Sequence, residues 1–205
     1  MGIRHRAVAD SRNEANPRQL GSGWLGTRPS GSGSESGESG GLLQAPDRRL
    51  TMSAVEATLL RLSLPLPEVA APIAAYVPAV RTGNLVFTSG QLPTIDGTLI
   101  SAGKVGAEVT VEQAKAAAER AALNGLAAIK QVIGDLDKIV RIVKVVGFVA
   151  VDPSFTNHSA VVNGASELLA ECFGDAAKHA RSSVGMASLP LNAPVEIELI
   201  VEVRD

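Results

Sequence analysis

The sequence predicts an α+β domain in which a mixed β-sheet carries two long helices on one face. Two long stretches have a helical period of apolar residues, and five shorter ones have the composition or alternation of strands. After a short first helix, these segments follow one another in the order ββαβαββ. A single sheet covered on one face by both helices is the simplest architecture for that order.

The short first helix is predicted over about 54–62. Ser53 precedes it and forms a capping-box pattern with Glu56. A β-hairpin follows, with strands at 76–80 and 85–89 and turn residues between them. The first part of the domain is therefore a helix, a proline-rich connector and a hairpin.

The two long helices have clear start and stop signals. Thr110 and Gln113 form a second capping-box pattern at the start of an alanine-rich helix, which runs to about residue 132 and stops at Gly134. The other helix covers about 156–172 and ends before Gly174. Both are long enough to cover the sheet.

The three remaining strands are predicted at 139–151, 181–187 and 195–203. The strand at 139–151 is apolar on both alternating faces, apart from Arg141 and Lys144. Because helices cover only one face of the sheet, another surface has to bury the second face. A second copy of the chain is the simplest candidate, so we expect a closed homo-oligomer packed through the helix-free face.

Composition divides the chain into two parts. Residues 1–51 are predicted to be disordered, since their Gly/Ser-rich stretch buries too little apolar surface to offset the entropy of ordering. Residues 52–205 form the predicted domain. Met52 stands at the boundary, so the first part is either an artefact of an upstream start site or a genuine flexible tail.

Charge argues against nucleic acid as a main partner. Residues 1–51 carry seven arginines and five acidic residues, whereas residues 52–205 carry twelve basic and sixteen acidic residues. A protein that follows a phosphate backbone needs an excess of cations or a dense basic stripe. We therefore expect no nucleic-acid partner.

Metal, disulfide and membrane features are also missing from the sequence. Cys172 is the single cysteine, and the three histidines are scattered without the spacing of zinc ligands. The longest apolar runs are much shorter than a membrane span. We expect a cytoplasmic protein without a membrane partner or a metal.

Strand alternation indicates a candidate site. In the last strand Glu196, Glu198 and Glu202 alternate with apolar residues that should meet the helices. In the strand before it, we place Val184 and Met186 on the helix side. Arg181 then shares the helix-free face with Glu196.

An arginine and a glutamate on one face permit two interpretations. The pair is either a structural ion pair at a subunit boundary or a functional site. Arginine binds a carboxylate through two parallel hydrogen bonds, and glutamate holds and polarises a water molecule. No nucleophile–base set is apparent, so hydrolysis by an oriented water fits better than covalent catalysis.

Two groups of short motifs carry a family resemblance. The N-terminal group consists of Tyr76-Val-Pro-Ala-Val80, Gly83-Asn84 and Thr88-Ser-Gly-Gln-Leu-Pro93. The C-terminal group consists of Ala180-Arg-Ser-Ser183, Leu189-Pro190 and Val195-Glu-Ile-Glu198. Together, and in this order, they resemble the signatures of the Rid or YjgF family, over about residues 73–203.

The resemblance implies a chorismate-mutase-like homotrimer with three clefts between subunits. It implies that Arg181 binds the substrate carboxylate and that Glu196 positions the attacking water. It also implies a cleft lined by backbone groups of Ser89, Gly90 and Ser183 and completed by two side chains, Tyr76 from the adjacent subunit and Asn163. Ser183 replaces a cysteine that is frequent in the family.

The activity implied is the hydrolysis of reactive enamines and 2-imino acids, released by pyridoxal-phosphate enzymes, to 2-keto acids and ammonia. The implied partner is a small imino acid, and the protein holds no cofactor. Two other hypotheses stay open. One is a non-catalytic trimer that binds small carboxylates or acts as a chaperone, and the other is a ribonuclease or translation inhibitor.

Overall fold

The computed structural model describes residues 52–69 and 75–205, so the tail predicted over 1–51 lies outside the described residues. The helices are α1 (Ala54–Arg61), α2 (Val111–Ile133) and α3 (His158–Phe173). The strands are β1 (Ala79–Thr82), β2 (Leu85–Thr88), β3 (Thr94–Ile95), β4 (Thr98–Leu99), β5 (Ile139–Ala150), β6 (Ala180–Met186) and β7 (Val195–Val203). The predicted helices and main strands are all present, with ends shifted by up to three residues.

Five strands form one mixed sheet in the order β1-β2-β7-β5-β6. The pair β5–β6 is parallel, and the other neighbouring pairs are antiparallel. The last strand, β7, therefore inserts between the hairpin and β5, and β6 forms an edge of the sheet. The predicted mixed sheet is confirmed.

The start of α2 shows why the sequence forms a helix there. The Thr110 hydroxyl accepts a hydrogen bond from the Gln113 amide at 3.2 Å, and the Gln113 side chain accepts one from the Thr110 amide at 2.9 Å. These reciprocal bonds satisfy two amides that a helix end leaves without partners. The helix ends at Gly134, whose φ of 80° suits a residue without a side chain.

Both long helices pack on the same face of the sheet. Gly125 of α2 lies against the side chain of Leu199, and Val162 of α3 lies against Gly147. Leu199 pairs with Val145, which points to the same face of β5 as Gly147. The buried core between the helices and the sheet is built from Ala, Val, Leu and Ile.

The opposite face of the sheet also carries apolar side chains. Val146 and Phe148 of β5 lie on it and are only partly buried. On the edge strand, Val184 and Met186 point to this face and are 42% and 37% exposed. The prediction that β5 is apolar on both faces is therefore confirmed.

The sequence analysis missed a small hairpin formed by β3 and β4. Its two-residue turn is Asp96-Gly97, with φ values of 50° and 78°. An Asp-Gly pair with positive φ at both positions is a favoured tight turn, so the signal was present. The Arg120 side chain of α2 holds the hairpin by donating from Nε to the Thr94 carbonyl at 2.8 Å.

Candidate active site

Glu196 lies near the start of β7, on the helix-free face of the sheet. It pairs with Phe148 of β5, and its carboxylate sits directly over the backbone of Gly90. A Cβ atom added to Gly90 would stand 1.6 Å from Glu196 Oε1, so only glycine leaves room for this carboxylate. The loop after β2 and the start of β7 are joined by reciprocal backbone hydrogen bonds between Gln91 and Ile197.

Glu196 is a half-buried acid with a perturbed proton affinity. Burial raises the pKa of its carboxyl group, and the charge of Glu198 raises it further. Burial has this effect because a low-dielectric environment disfavours the charged form. A carboxyl group whose pKa moves toward neutrality is a better general base at physiological pH.

Arg181 lies on the edge strand β6, and α3 holds its guanidinium group. Its Nη1 donates to Asn163 Oδ1 at 2.8 Å and to Ser166 Oγ at 3.0 Å. Among residues 52–69 and 75–205, no carboxylate forms a salt bridge with Arg181 and no acceptor takes its Nε or Nη2 hydrogens. The edge formed by Nε and Nη2 is thus available for a carboxylate ligand.

Asn163 and Gly164 are adjacent on α3, where both are poor helix formers, and the structure gives each a reason. Asn163 orients Arg181, whereas Gly164 allows α3 to approach α2 closely. A Cβ atom added to Gly164 would stand 2.0 Å from the Lys115 carbonyl oxygen.

Ser183 follows Arg181 by two residues and points to the same side of β6. Its hydroxyl oxygen is buried and has no hydrogen-bond partner among the described residues. Two residues further, Gly185 leaves room for the imidazole of His158, since an added Cβ would stand 2.6 Å from His158 Nε2. The helix-facing positions of β6 are therefore polar or small.

Tyr76 and Ser89 belong to the part of the molecule around Gly90. The Ser89 hydroxyl donates to the Val77 carbonyl at 2.7 Å, and the Ser89 amide donates to the Pro78 carbonyl at 2.9 Å. These bonds hold the segment that carries Tyr76, whose side chain is 54% exposed. Tyr76 and Gly90 also line a cavity of about 460 Å³, beside Arg120 and Asn124 of α2.

The prediction that Arg181 and Glu196 share one face of the sheet is wrong. Arg181 pairs with Val145, which is buried against the helices, whereas Glu196 pairs with Phe148 on the helix-free face. Val184 and Met186, which we had expected on the helix side, lie on the helix-free face instead. The reason is that close packing of α3 fills the helix side of β6 and selects small and polar residues there.

The seven predicted site residues therefore form two groups within one chain. Gly90 lies against Glu196, with Ser89 beside it in the chain and Tyr76 lining a cavity together with Gly90, whereas Asn163 bonds Arg181 and Ser183 lies on the same side of β6 as Arg181. Strand β5 separates the two groups. One chain alone does not bring the arginine and the glutamate to a common ligand.

Ser166 is a site residue that the sequence analysis missed. It stands three positions after Asn163 on α3, so the two side chains lie on the same face of the helix. Together they take both hydrogens of Arg181 Nη1. The helical spacing from Asn163 was the signal that could have found it.

The described residues contain neither a candidate metal site nor a candidate membrane-spanning helix. Across residues 52–69 and 75–205, no group of three or more His, Cys, Asp or Glu side chains is arranged to hold a metal ion. Within the same ranges, no helix has the length and apolarity required to cross a membrane.

The mixed sheet and the helices on one of its faces define an α+β protein. The model of the family described as "YjgF/chorismate mutase-like, putative endoribonuclease" matches residues 56–203. The chain therefore belongs to the YjgF/chorismate mutase-like family, and the resemblance predicted from its motifs is confirmed.

Known relatives match between 67% and 74% of this chain. The protein TCP17 of Trypanosoma cruzi is 43% identical over 152 residues, which are 74% of this chain and 95% of that protein. The crystal structure of Atu1372 from Agrobacterium tumefaciens, a protein of unknown function, is 46% identical with a TM-score of 0.68 and covers 73% of this chain and 92% of its own. The YjgF gene product of E. coli is 31% identical with a TM-score of 0.50, covering 67% and 94%.

Proposed function

We propose that this protein hydrolyses 2-imino acids and their enamine tautomers to 2-keto acids and ammonia. The observation that carries the proposal is the hydrogen bonding of the Arg181 side chain. Its guanidinium group is fixed by two neutral oxygen acceptors and keeps one edge with two parallel donors, Nε and Nη2. That edge matches the geometry of a small carboxylate.

We further propose that the working site forms between two copies of the chain in a homotrimer. Arg181, Asn163 and Ser183 come from one subunit, and the Glu196 group comes from its neighbour. The separation of the two groups within one chain supports this arrangement. The apolar, helix-free face supports it as well, because a neighbouring copy would bury Val184 and Met186.

The reaction in this site begins with the substrate carboxylate bound by Arg181. Glu196 accepts a proton from a water molecule as the water oxygen forms a bond to the imine carbon and the C=N π bond breaks, and it then gives this proton to the imine nitrogen. The resulting carbinolamine loses the proton of its hydroxyl group to Glu196 as the C=O bond forms. Glu196 passes this second proton to the departing nitrogen, the C–N bond breaks and ammonia leaves, so the enzyme ends in its starting state.

A single oriented base is sufficient for this chemistry. Imines hydrolyse in water without a catalyst, so only a modest reduction of the barrier is needed. One positioned general base contributes roughly 10²–10⁴-fold. The raised pKa of Glu196 makes its carboxylate a stronger base than that of an ordinary glutamate.

The test is a coupled assay in which threonine dehydratase generates 2-iminobutyrate and the formation of 2-ketobutyrate is followed. We expect Arg181→Ala to abolish the acceleration, because the substrate loses a bidentate, charge-assisted contact. We expect Glu196→Gln to reduce the rate by roughly 10²–10⁴-fold. Arg61→Ala, which removes an exposed arginine on α1, is the matched control.

A normal rate of imine hydrolysis by Arg181→Ala would contradict the proposed role of the guanidinium group. Binding of 2-ketobutyrate without any turnover by the wild-type protein would support the alternative of a non-catalytic carboxylate-binding trimer. Relatives of this family carry the name endoribonuclease. The excess of acidic over basic residues in residues 52–205 argues against that activity here.

A further inference from the structure

Arg181 is the first member of a chain of hydrogen bonds that leads away from the proposed cleft. Its Nη1 contacts Ser166 Oγ at 3.0 Å, and the same oxygen lies 3.1 Å from His179 Nε2. The other ring nitrogen, His179 Nδ1, lies 2.6 Å from the carbonyl oxygen of Ala177. Three side chains and one backbone carbonyl therefore form a continuous path.

The chemistry of the two ends fixes the direction of every bond in this path. A carbonyl oxygen only accepts, so the hydrogen of the imidazole is on Nδ1, and a neutral ring then accepts at Nε2. A guanidinium group only donates, so Ser166 Oγ accepts from Arg181 and gives its own hydrogen to His179. Each group thus makes the bonds that its chemistry allows, with no donor facing a donor.

A doubly protonated imidazole would not fit this arrangement of donors and acceptors. Ser166 Oγ would then have to accept from two cations, Arg181 and His179, and its own hydrogen would lose its acceptor. The neutral ring with its hydrogen on Nδ1 is therefore the form that fits the observed contacts.

The path determines which edge of the guanidinium group is presented to a ligand. Asn163 and Ser166 take both hydrogens of Nη1, which fixes the plane of the group. The Nε hydrogen and one Nη2 hydrogen point in parallel from the opposite edge of the group. Without the hydrogen bond from Nη1 to Ser166, the guanidinium group could rotate and lose this alignment.

We propose that Ser166 and His179 are positioning residues, which hold the guanidinium group of Arg181 in the orientation that binds a 2-imino acid carboxylate. This inference rests on the proposed function, since it concerns the same arginine. His179 acts only through Ser166, and neither residue contacts the reacting atoms. The role differs from simple support of the fold because it predicts a selective effect on carboxylate binding.

Variants of His179 distinguish the hydrogen bond at Nε2 from the hydrogen bond at Nδ1. Glutamine places its amide group near the position of Nε2 and offers Ser166 an acceptor, whereas asparagine reaches only the position of Nδ1. We expect His179→Gln to keep the affinity for 2-ketobutyrate and the KM for 2-iminobutyrate. We expect His179→Asn and Ser166→Ala to lower the affinity for 2-ketobutyrate and to raise the KM for 2-iminobutyrate by roughly 5- to 10-fold, the effect of one lost hydrogen bond of ordinary strength.

The same variants should leave kcat within about twofold, since the proposed base, Glu196, is untouched. Ser159→Ala, on the exposed side of the first turn of α3, is the matched control and should bind 2-ketobutyrate like the wild type. Thermal unfolding of each variant shows whether a change in affinity accompanies a loss of stability. Nitrogen NMR of His179 in the wild-type protein should show the hydrogen on Nδ1.

The outcomes separate this inference from the proposed function. Binding of 2-ketobutyrate that depends on Ser166 in a protein without turnover would overturn the proposed activity and support the positioning role. Equal affinities of His179→Gln and His179→Asn would overturn the positioning role, whether or not the protein is an enzyme. A hydrogen found on Nε2 of His179 would overturn it as well.

Discussion

Gly90 and Glu196 illustrate at the scale of single residues how a backbone shapes a site. The nearest atom to a Cβ added at Gly90 is the end of a flexible side chain, at 1.6 Å. We therefore expect Gly90→Ala to fold but to displace the Glu196 carboxylate, with a loss of imine hydrolysis approaching that of Glu196→Gln. The coupled assay, with circular dichroism to confirm folding, measures both properties.

A double-variant cycle provides the control for this effect. If Gly90→Ala acts by displacing the carboxylate, it should cost little further activity in a chain that already carries Glu196→Gln. Additive losses in the double variant would instead indicate that Gly90 acts independently of Glu196.

The pH dependence of the reaction should report the carboxyl group of Glu196. The base has to be ionised, and its pKa is raised by burial and then by Glu198. We therefore expect kcat/KM to fall as the pH decreases through a pKa above the ordinary value for a glutamate. Glu198→Gln removes the like charge and should move this limb of the profile to lower pH, which a pH–rate series will show.

The same shift has a consequence for stability. A raised pKa in the folded state means that folding favours the protonated carboxyl group, so this contribution to stability is present at low pH and is lost as the pH rises through the folded-state pKa. Glu196→Gln removes the cost of the buried charge, and its free energy of unfolding near neutral pH should exceed that of the wild type. A less stable variant would contradict the assignment of burial as the main cause.

At the scale of elements, the contact between α2 and α3 positions Asn163 and hence Arg181. Gly164 lies against the backbone of Lys115, where an added Cβ would stand 2.0 Å from the carbonyl oxygen. Helix propensity alone predicts that Gly164→Ala stabilises α3 by about 1 kcal/mol. Because backbone cannot move aside easily, we expect the opposite sign, a destabilisation of about 1–3 kcal/mol.

Denaturant unfolding of Gly164→Ala shows whether the substitution stabilises or destabilises the protein. Stabilisation would show that α3 does not approach α2 as closely as the structure has it. A destabilised but folded variant should also bind 2-ketobutyrate more weakly, since a shifted α3 moves Asn163 away from Arg181.

Local signals predicted the elements well because each signal acts within a few residues. The capping box of Thr110 and Gln113 and the stop at Gly134 give α2 its ends with little help from the rest of the chain. The two-sided apolar character of β5 likewise follows from alternation along a single strand. Both were therefore visible in the sequence.

The orientation of β6 was not visible, because it depends on a distant element. Alternation identified two classes of residue in this strand but not which class meets the helices. The strand lies at the sheet edge, where its apolar residues Val184 and Met186 are partly exposed, while Arg181 faces α3. Only the position of α3, fixed by its packing on α2, decides the side.

At the scale of the whole molecule, this orientation changes how the site must be assembled. Two residues on opposite faces of one sheet meet a common ligand only if another copy contributes one of them. The exposed apolar residues of the helix-free face provide a surface for such a copy. We therefore propose that a single cleft is formed by the Arg181 group of one subunit and the Glu196 group of the next.

Subunit mixing tests this account most directly. The Arg181→Ala and Glu196→Gln proteins, each strongly impaired alone, are unfolded, mixed in equal amounts and refolded together, and imine hydrolysis is measured. If each cleft draws its arginine and its glutamate from different subunits, about a quarter of the clefts in randomly mixed trimers regain both residues, with activity in proportion. Activity that stays at the level of the separate variants, in mixed oligomers verified by mass, would contradict a site shared between chains.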